Sequence, residues 1–219
     1  MQRRRSRICV LVSGGLDSAL LLHQLQVSSA ALLPLYVRCG LSWEAAEVYW
    51  LKRLLRAMRA PTLLPLRMID LPLRSLYGTH WSLTGRGIPG AKSQDRAVYL
   101  PGRNVLLLSA AAMVCAPRRI GAIALGVLKG NPFGDATPRF FTRLAGALTD
   151  ALDQPIQILA PLRAMHKPAL IRAAGDVPLN LTFSCIRPVG RHHCGRCNKC
   201  AERRRAFGAA GIPDPTRYA

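Results

Sequence analysis

Acidic residues are scarce in this chain. Eleven aspartates and glutamates stand against 31 lysines and arginines, a formal net charge of +20 at pH 7. Such an imbalance sets up a field that draws nucleotides, RNA or other anions and disfavours basic partners. Lysine is scarce too, 5 residues against 26 arginines, a bias that a GC-rich genome also produces. RNA-binding signatures such as RGFGFVxF are missing, so the charge permits a tRNA partner without requiring one. No apolar run reaches the ~18 residues of a membrane span. The basic start Arg3-Arg4-Arg5-Ser6-Arg7 precedes only five apolar residues, too few for the ~7–15 of a secretory signal core. A cytoplasmic protein with no membrane association is expected. Two phosphate motifs are absent as well. Without GxxxxGK[ST], β,γ-cleaving NTPase chemistry loses its usual lysine, and without GxGxxG after the first strand a dinucleotide reading weakens.

What the chain does contain is a six-residue loop in a telling context. Ser13-Gly14-Gly15-Leu16-Asp17-Ser18 follows the apolar run Ile8–Val12, which reads as a buried parallel strand. It precedes a helical pattern in which Leu16, Ala19, Leu20 and Leu25 share an apolar face. Paired glycines at a strand-to-helix junction let the backbone approach a ligand and turn its N–H groups inward. The helix N-terminus adds free donors and a positive dipole end, together an anion site. Ser13 and Ser18 supply hydroxyl donors, and Asp17 suits a magnesium ion held against phosphate oxygens. The alternative is a glycine-rich turn whose Asp17 or Ser18 merely caps a helix.

With 219 residues, half of them hydrophobic, the chain has length for one α/β domain and a small appendage. Further strands are expected at Ala31–Val37, Thr62–Ile69, Ile120–Gly126 and Ile156–Leu159, with Pro65 demoting the first half of the third strand. Helices are expected at Trp43–Met58, capped by Ser42, from Arg103 to about Cys115, at Phe140–Leu152 and at Met165–Ala173. The helix ending at Cys115 is apolar all round and so predicted to be buried. Residues 71–98 lose periodicity and are expected to form a mobile substrate loop. Alternating strands and helices predict a mainly parallel five-stranded sheet with helices on both faces, Rossmann-like, with ligands at the carboxyl ends of its strands.

Near the C-terminus Cys185, Cys194, Cys197 and Cys200 are spaced C-x8-C-x2-C-x2-C. Thiolates two residues apart reach one metal, and a fourth closes the tetrahedron, so a structural zinc is favoured. An iron–sulfur cluster is the better rival, and disulfides fit poorly with an intracellular chain. His192 and His193 are expected to be solvated or to face phosphate. Cys9 and Cys115 read as buried packing residues. Residues 1–180 are thus expected to form the nucleotide domain and 181–219 a zinc-binding subdomain.

The loop resembles the SGGxDS pyrophosphate loop of the N-type ATP pyrophosphatases, which cleave ATP between the α and β phosphates. Together with Pro101-Gly102-Arg103-Asn104, Pro161-Leu162…Lys167 and Thr182-Phe183-Ser184-Cys185…Cys194-Gly195-Arg196-Cys197-Asn198-Lys199-Cys200, it is similar to the 7-cyano-7-deazaguanine synthase family. The resemblance runs from about Ile8 to Phe207. It implies an adenine nucleotide alpha hydrolase-like fold and an ATP-dependent carbon–nitrogen ligase. Such an enzyme turns 7-carboxy-7-deazaguanine and ammonia into the nitrile, with release of AMP, for queuosine or archaeosine. ATP contact is implied for Val12, Ser13, Gly14, Gly15, Leu16, Asp17, Ser18, Ala19, Leu20, Leu21 and Leu22. Catalytic roles are implied for Asp17, Arg103 and Lys167, and substrate contact for Arg103, Asn104 and Asp135. A homodimer is also implied.

Two segments depart from the family pattern. Tyr36-Val37-Arg38-Cys39-Gly40 stands where Tyr-Gly-Gln-Arg-His is usual. Leu128-Lys129-Gly130-Asn131-Pro132-Phe133-Gly134-Asp135 replaces an acidic stretch and retains only Asp135 of its carboxylates. A deazaguanine presents donors that a carboxylate reads, so a related enzyme adenylating another acid or a tRNA base is the alternative. A non-enzymatic zinc module that binds nucleotide is a weaker one.

Overall fold

A computed structural model describes residues 7–27 and 31–219; the basic start up to Ser6 lies outside them. Five parallel strands form one sheet, β1 (Arg7–Leu11), β2 (Ala31–Arg38), β3 (Arg67–Asp70), β4 (Ala122–Ala124) and β5 (Gln157–Leu159), in the order β3-β2-β1-β4-β5. The helices are α1 (Leu16–Val27), α2 (Glu44–Ala57), α3 (Arg74–Tyr77), α4 (Trp81–Thr84), α5 (Arg103–Cys115), α6 (Pro138–Leu152), α7 (Lys167–Arg172) and α8 (Asn198–Ala210). The order turns back at β1, whose neighbours are β2 on one side and β4 on the other. Ligand crevices open at such switch points.

Alternation along the strands divides the core into two layers. Leu33, Leu35 and Val37 of β2 pack with Leu108, Ala111 and Ala112 of α5. Leu32 and Tyr36 point the other way, to Leu20 and Leu21 of α1 and Leu51 and Leu54 of α2. Cys9 and Cys115 are fully buried in the α5 layer, as their apolar surroundings predict. Pro34 is tolerated inside β2 because β3 pairs only from Leu35 onward, after an isolated bridge at Leu32–Leu63. Pro65 lies in that break, so β3 begins later than Thr62.

Several local expectations are corrected. Trp43, not Ser42, occupies the cap of α2 and makes no side-chain cap bond. The Glu44 carboxylate instead reaches back to accept the N–H groups of Cys39 (2.7 Å) and Gly40 (2.9 Å), satisfying donors that precede the helix. Helix α5 is not buried all round, since Val105 and Met113 are exposed. The helical stretch Asp95–Arg118 has the length and composition to cross a membrane, yet Leu108, Ala111, Ala112 and Cys115 use it to cover the sheet. Residues 71–98 are not without structure. They form α3, α4 and a 3-10 turn, and Trp81 stacks on Trp43 with ring centroids 5.8 Å apart.

The C-terminal segment packs where the strands end. Helix α8 lies on α7, with Phe207 and Ala206 against Leu16 and Ile171. Arg203 is buried on α8, donating to the Thr182 hydroxyl (2.8 Å), the Leu179 carbonyl (3.0 Å) and Thr216 (2.5 Å). It thereby fixes residues 182–184 beside the first loop, where the Phe183 N–H meets the Gly14 carbonyl.

Candidate active site

The loop after β1 folds into a cup closed by its own hydroxyls. Ser18 Oγ donates to the Gly15 carbonyl (3.1 Å), while Ser13 Oγ accepts the Gly15 N–H (3.3 Å). Gly14 has φ +76°, and a Cβ there would meet Leu51 at 3.2 Å, so both conformation and space require glycine. A Cβ on Gly126, just after β4, would meet the Asp17 backbone at 3.0 Å. From the far side the Phe183 N–H bonds the Gly14 carbonyl at 2.8 Å.

Charges of both signs meet at the mouth of this loop. Lys167 Nζ lies 3.4 Å from Asp17 Oδ2 and also bonds Glu202, which Lys199 holds from the other side at 2.7 Å. Burial opposes charge on Lys167, but Asp17 and Glu202 outweigh it and hold the ammonium above its ordinary range. Asp17 Oδ1 is buried and has no hydrogen-bond partner among the described residues. Buried acceptors are rarely left so, and an unshared carboxylate oxygen beside a phosphate-type loop suits a divalent cation.

A cleft of about 350 Å³ is lined by this loop together with Tyr36, Trp43, Glu47 and Trp81. There Glu47, on α2, is 7% exposed and accepts the Tyr36 hydroxyl at 2.6 Å. Burial pushes its carboxyl up to about 7, against the opposing pull of Tyr36, Arg103 and Trp43. The Trp43–Trp81 stack forms one wall, and Tyr99 and Phe133 stack at 4.6 Å elsewhere in the lining. Arg103 begins α5, and its buried Nε has no hydrogen-bond partner among the described residues.

Of the residues expected to bind or catalyse, Val12, Ser13, Gly15, Leu16, Asp17 and Ser18 line this cleft, joined by Arg103, Asn104, Asp135 and Lys167. Gly14 does not. Ala19, Leu20, Leu21 and Leu22 do not either, because their side chains are packed into the core between α1 and the sheet. Asp135 is already engaged, with Oδ2 accepting the Asn104 N–H (3.0 Å) and its carbonyl accepting Asn104 Nδ2 (2.9 Å). It therefore caps α5 as well as lining the cleft. Glu47, Tyr36, Trp43, Trp81, Lys199 and Glu202 escaped sequence reasoning. For Glu47 a signal existed: it stands four residues before Leu51, an acid in register with the buried stripe Leu51, Leu54 and Met58.

The four cysteines do converge. Their Sγ atoms all lie within 4.8 Å of one another, and all four residues are buried. The Cys185–Cys197 and Cys194–Cys200 sulfurs are 3.9 and 4.0 Å apart. Backbone N–H groups of Cys194 (3.3 Å) and Arg187 (3.4 Å) point at Cys185 Sγ, an arrangement that favours thiolates. Four soft donors in one buried cluster are able to hold a metal ion, and the donor set fits zinc. His192 is exposed, but His193 is not solvated and does not face phosphate. It is 5% exposed and accepts the Ser184 N–H at 3.1 Å, and burial pushes its pKa down to about 4.

Comparison with known proteins bears on the family and the fold. The model of the family described as "Queuosine biosynthesis protein QueC" matches residues 7–211. A 7-cyano-7-deazaguanine synthase from Anaeromyxobacter dehalogenans (strain 2CP-C) is 31% identical over 97% of this chain and 96% of its own. One from Anaeromyxobacter sp. (strain Fw109-5) is 33% identical over 99% and 98%. Among solved structures, the U34-tRNA thiolase NcsA of Methanococcus maripaludis with its [4Fe-4S] cluster shares the fold. Its TM-score is 0.54 at 9% identity, covering 95% of this chain and 68% of that one. A predicted tRNA methyltransferase subunit from Methanocaldococcus jannaschii gives a TM-score of 0.51 at 15% identity, over 78% and 75%.

Proposed function

The chain belongs to the QueC family of queuosine biosynthesis proteins, and from that membership we propose that it is an ATP-dependent ligase that makes 7-cyano-7-deazaguanine. The substrates are 7-carboxy-7-deazaguanine, ammonia and two ATP, and the setting is the cytoplasm. The observation that carries the reading is the placement of the loop 13–18, Asp17 and Lys167 in one cleft with Arg103 and a buried acid.

In the first half-reaction the substrate carboxylate oxygen attacks the ATP α-phosphorus, and pyrophosphate leaves. Ammonia then adds to the acyl-adenylate carbonyl and expels AMP, giving the amide and one proton. The amide oxygen attacks a second ATP with loss of pyrophosphate and a proton. The resulting imidate loses AMP and a proton to become the nitrile. Backbone N–H groups of residues 13–18 would hold the phosphate oxygens, with Ser13 and Ser18 as hydroxyl donors. Lys167, already ionised beside Asp17, would stabilise charge developing on the α-phosphate and pyrophosphate, and Arg103 would face the reacting carboxylate. Magnesium, for which the unshared Asp17 Oδ1 is the fitting ligand, would offset phosphate charge. Zinc held by Cys185, Cys194, Cys197 and Cys200 would have a structural role, tying the start of α8 to the cleft wall.

The test is a turnover assay with magnesium-ATP, ammonium and 7-carboxy-7-deazaguanine, following AMP and product mass. Nitrile with two AMP per product is expected. No product from folded, metal-loaded protein would overturn the assignment.

A further inference from the structure

We infer that Glu47, held by the Tyr36 hydroxyl in the lining of the cleft, is the specificity-determining acceptor that reads the amino-pyrimidine edge of the substrate. This rests on the proposed function and deepens it. Glu47 is one of only three acids in the cleft lining, with Asp17 and Asp135. Asp17 belongs to the phosphate loop, and Asp135 is bonded to Asn104. Glu47 is 7% exposed and lines the cleft with Trp43 and Trp81, whose rings stack, and its free oxygen positions are not taken up by a neighbouring backbone as those of Asp135 are.

The chemistry of the edge decides which ring Glu47 reads. A carboxylate offers acceptors only, about four lone-pair positions on two oxygens. Tyr36 occupies one on Oε2, which leaves capacity for a ligand. A guanine-type ring presents two adjacent donors, the ring N–H and the exocyclic amine, matching two carboxylate oxygens. Adenine presents an amine beside a bare ring nitrogen, a donor and an acceptor, which an ionised carboxylate cannot satisfy together. Burial opposes ionisation and pushes the carboxyl up to about 7 against the pull of the Tyr36 donor and the Arg103 charge, so the ionised form prevails above that pH. Tyr36 is thus a positioning residue, and Glu47 touches the substrate.

Steady-state kinetics on the metal-loaded protein near pH 8 would compare 7-carboxy-7-deazaguanine with the same acid lacking the 2-amino group. A site built to bond a polar group rejects the analogue without it by large factors, so the wild type should prefer the acid bearing the 2-amino group by at least about 100-fold in kcat/KM. Glu47→Gln should reduce that preference to within about threefold, through KM for the acid, with KM for ATP unchanged. Tyr36→Phe, which keeps the carboxylate but loosens it, should retain the preference while raising KM for the acid several-fold. Quenching of Trp43 and Trp81 fluorescence by the acid without ATP gives the same comparison as direct binding. An undiminished preference in Glu47→Gln would overturn the inference, as would a rise in KM for ATP alone, which would put adenine against Glu47. Failure of the wild type to turn over either acid would instead sink the functional reading beneath it.

Discussion

Replacing Glu47 by glutamine should make the folded chain more stable at alkaline pH. Burial holds the Glu47 carboxyl near 7, from an ordinary value of 4.5, with Tyr36, Arg103 and Trp43 pulling down and Glu44 pushing up. In the unfolded chain the group ionises at its ordinary value. Between pH 4.5 and 7 the folded chain therefore keeps a proton that the unfolded chain has lost, and stability falls as pH rises. At 1.36 kcal/mol per pH unit the deficit is about 3 kcal/mol by about pH 8, and it vanishes below about pH 4.5. Glutamine carries no charge at any pH and still offers Tyr36 an oxygen. Its new amide hydrogens, if unpaired, cost about 1 kcal/mol. The variant should thus be about 2 kcal/mol more stable than wild type near pH 8 and about 1 kcal/mol less stable near pH 4.5. Urea midpoints at constant slope, taken on metal-loaded protein across this range, read the difference directly. Parallel curves, or a wild type that gains on the variant as pH rises, would show that the carboxyl ionises without penalty and would refute the reasoning. A site residue that weakens the fold is a common compromise between binding and stability.

Asp17→Asn should lower AMP release at least about 100-fold with an unchanged urea midpoint, because it removes the charge facing Lys167 at the loop; retained turnover would remove Asp17 from the proposed machinery. Purified protein should carry one zinc per chain by elemental analysis, and Cys197→Ser should lose it and unfold first at its C-terminal segment. A brown, iron-rich preparation would contradict the zinc assignment. Arg203→Met should cost about 3–5 kcal/mol, since it leaves Asp214, Thr182 and the Leu179 carbonyl without their buried donor. Because Thr182 precedes Phe183, which bonds Gly14, KM for ATP should rise with it; a loss of stability below about 1 kcal/mol would show that the guanidinium is not holding this segment.

Local chemistry was legible wherever short-range physics dictated it. Strand β1, the glycine-paired loop and the start of α1 are contiguous, and their pattern needs no partner to be recognised. The four cysteines were legible for a similar reason, since two-residue spacing already brings thiols together and only Cys185 had to arrive from farther away. Boundaries were less legible. Glu44 replaced the expected Ser42 cap because a carboxylate on the first turn reached back to Cys39 and Gly40. Segment 71–98 has no amphipathic period, yet it folds because Trp81 finds Trp43, and no local pattern records that contact.

The sequence by itself determined the alternating α/β architecture, the phosphate-type loop, the four-thiol cluster and the family. All four are written in residues near one another in the chain or in fixed order along it. Only the tertiary structure decided that Lys167 is charge-paired with both Asp17 and Glu202, that Asp135 is tied to Asn104, and that Glu47 is a buried acid in the cleft lining, bonded to Tyr36. Those facts depend on strand order placing distant loops side by side. Burial there turns an ordinary surface-type glutamate into a group whose charge the fold must support.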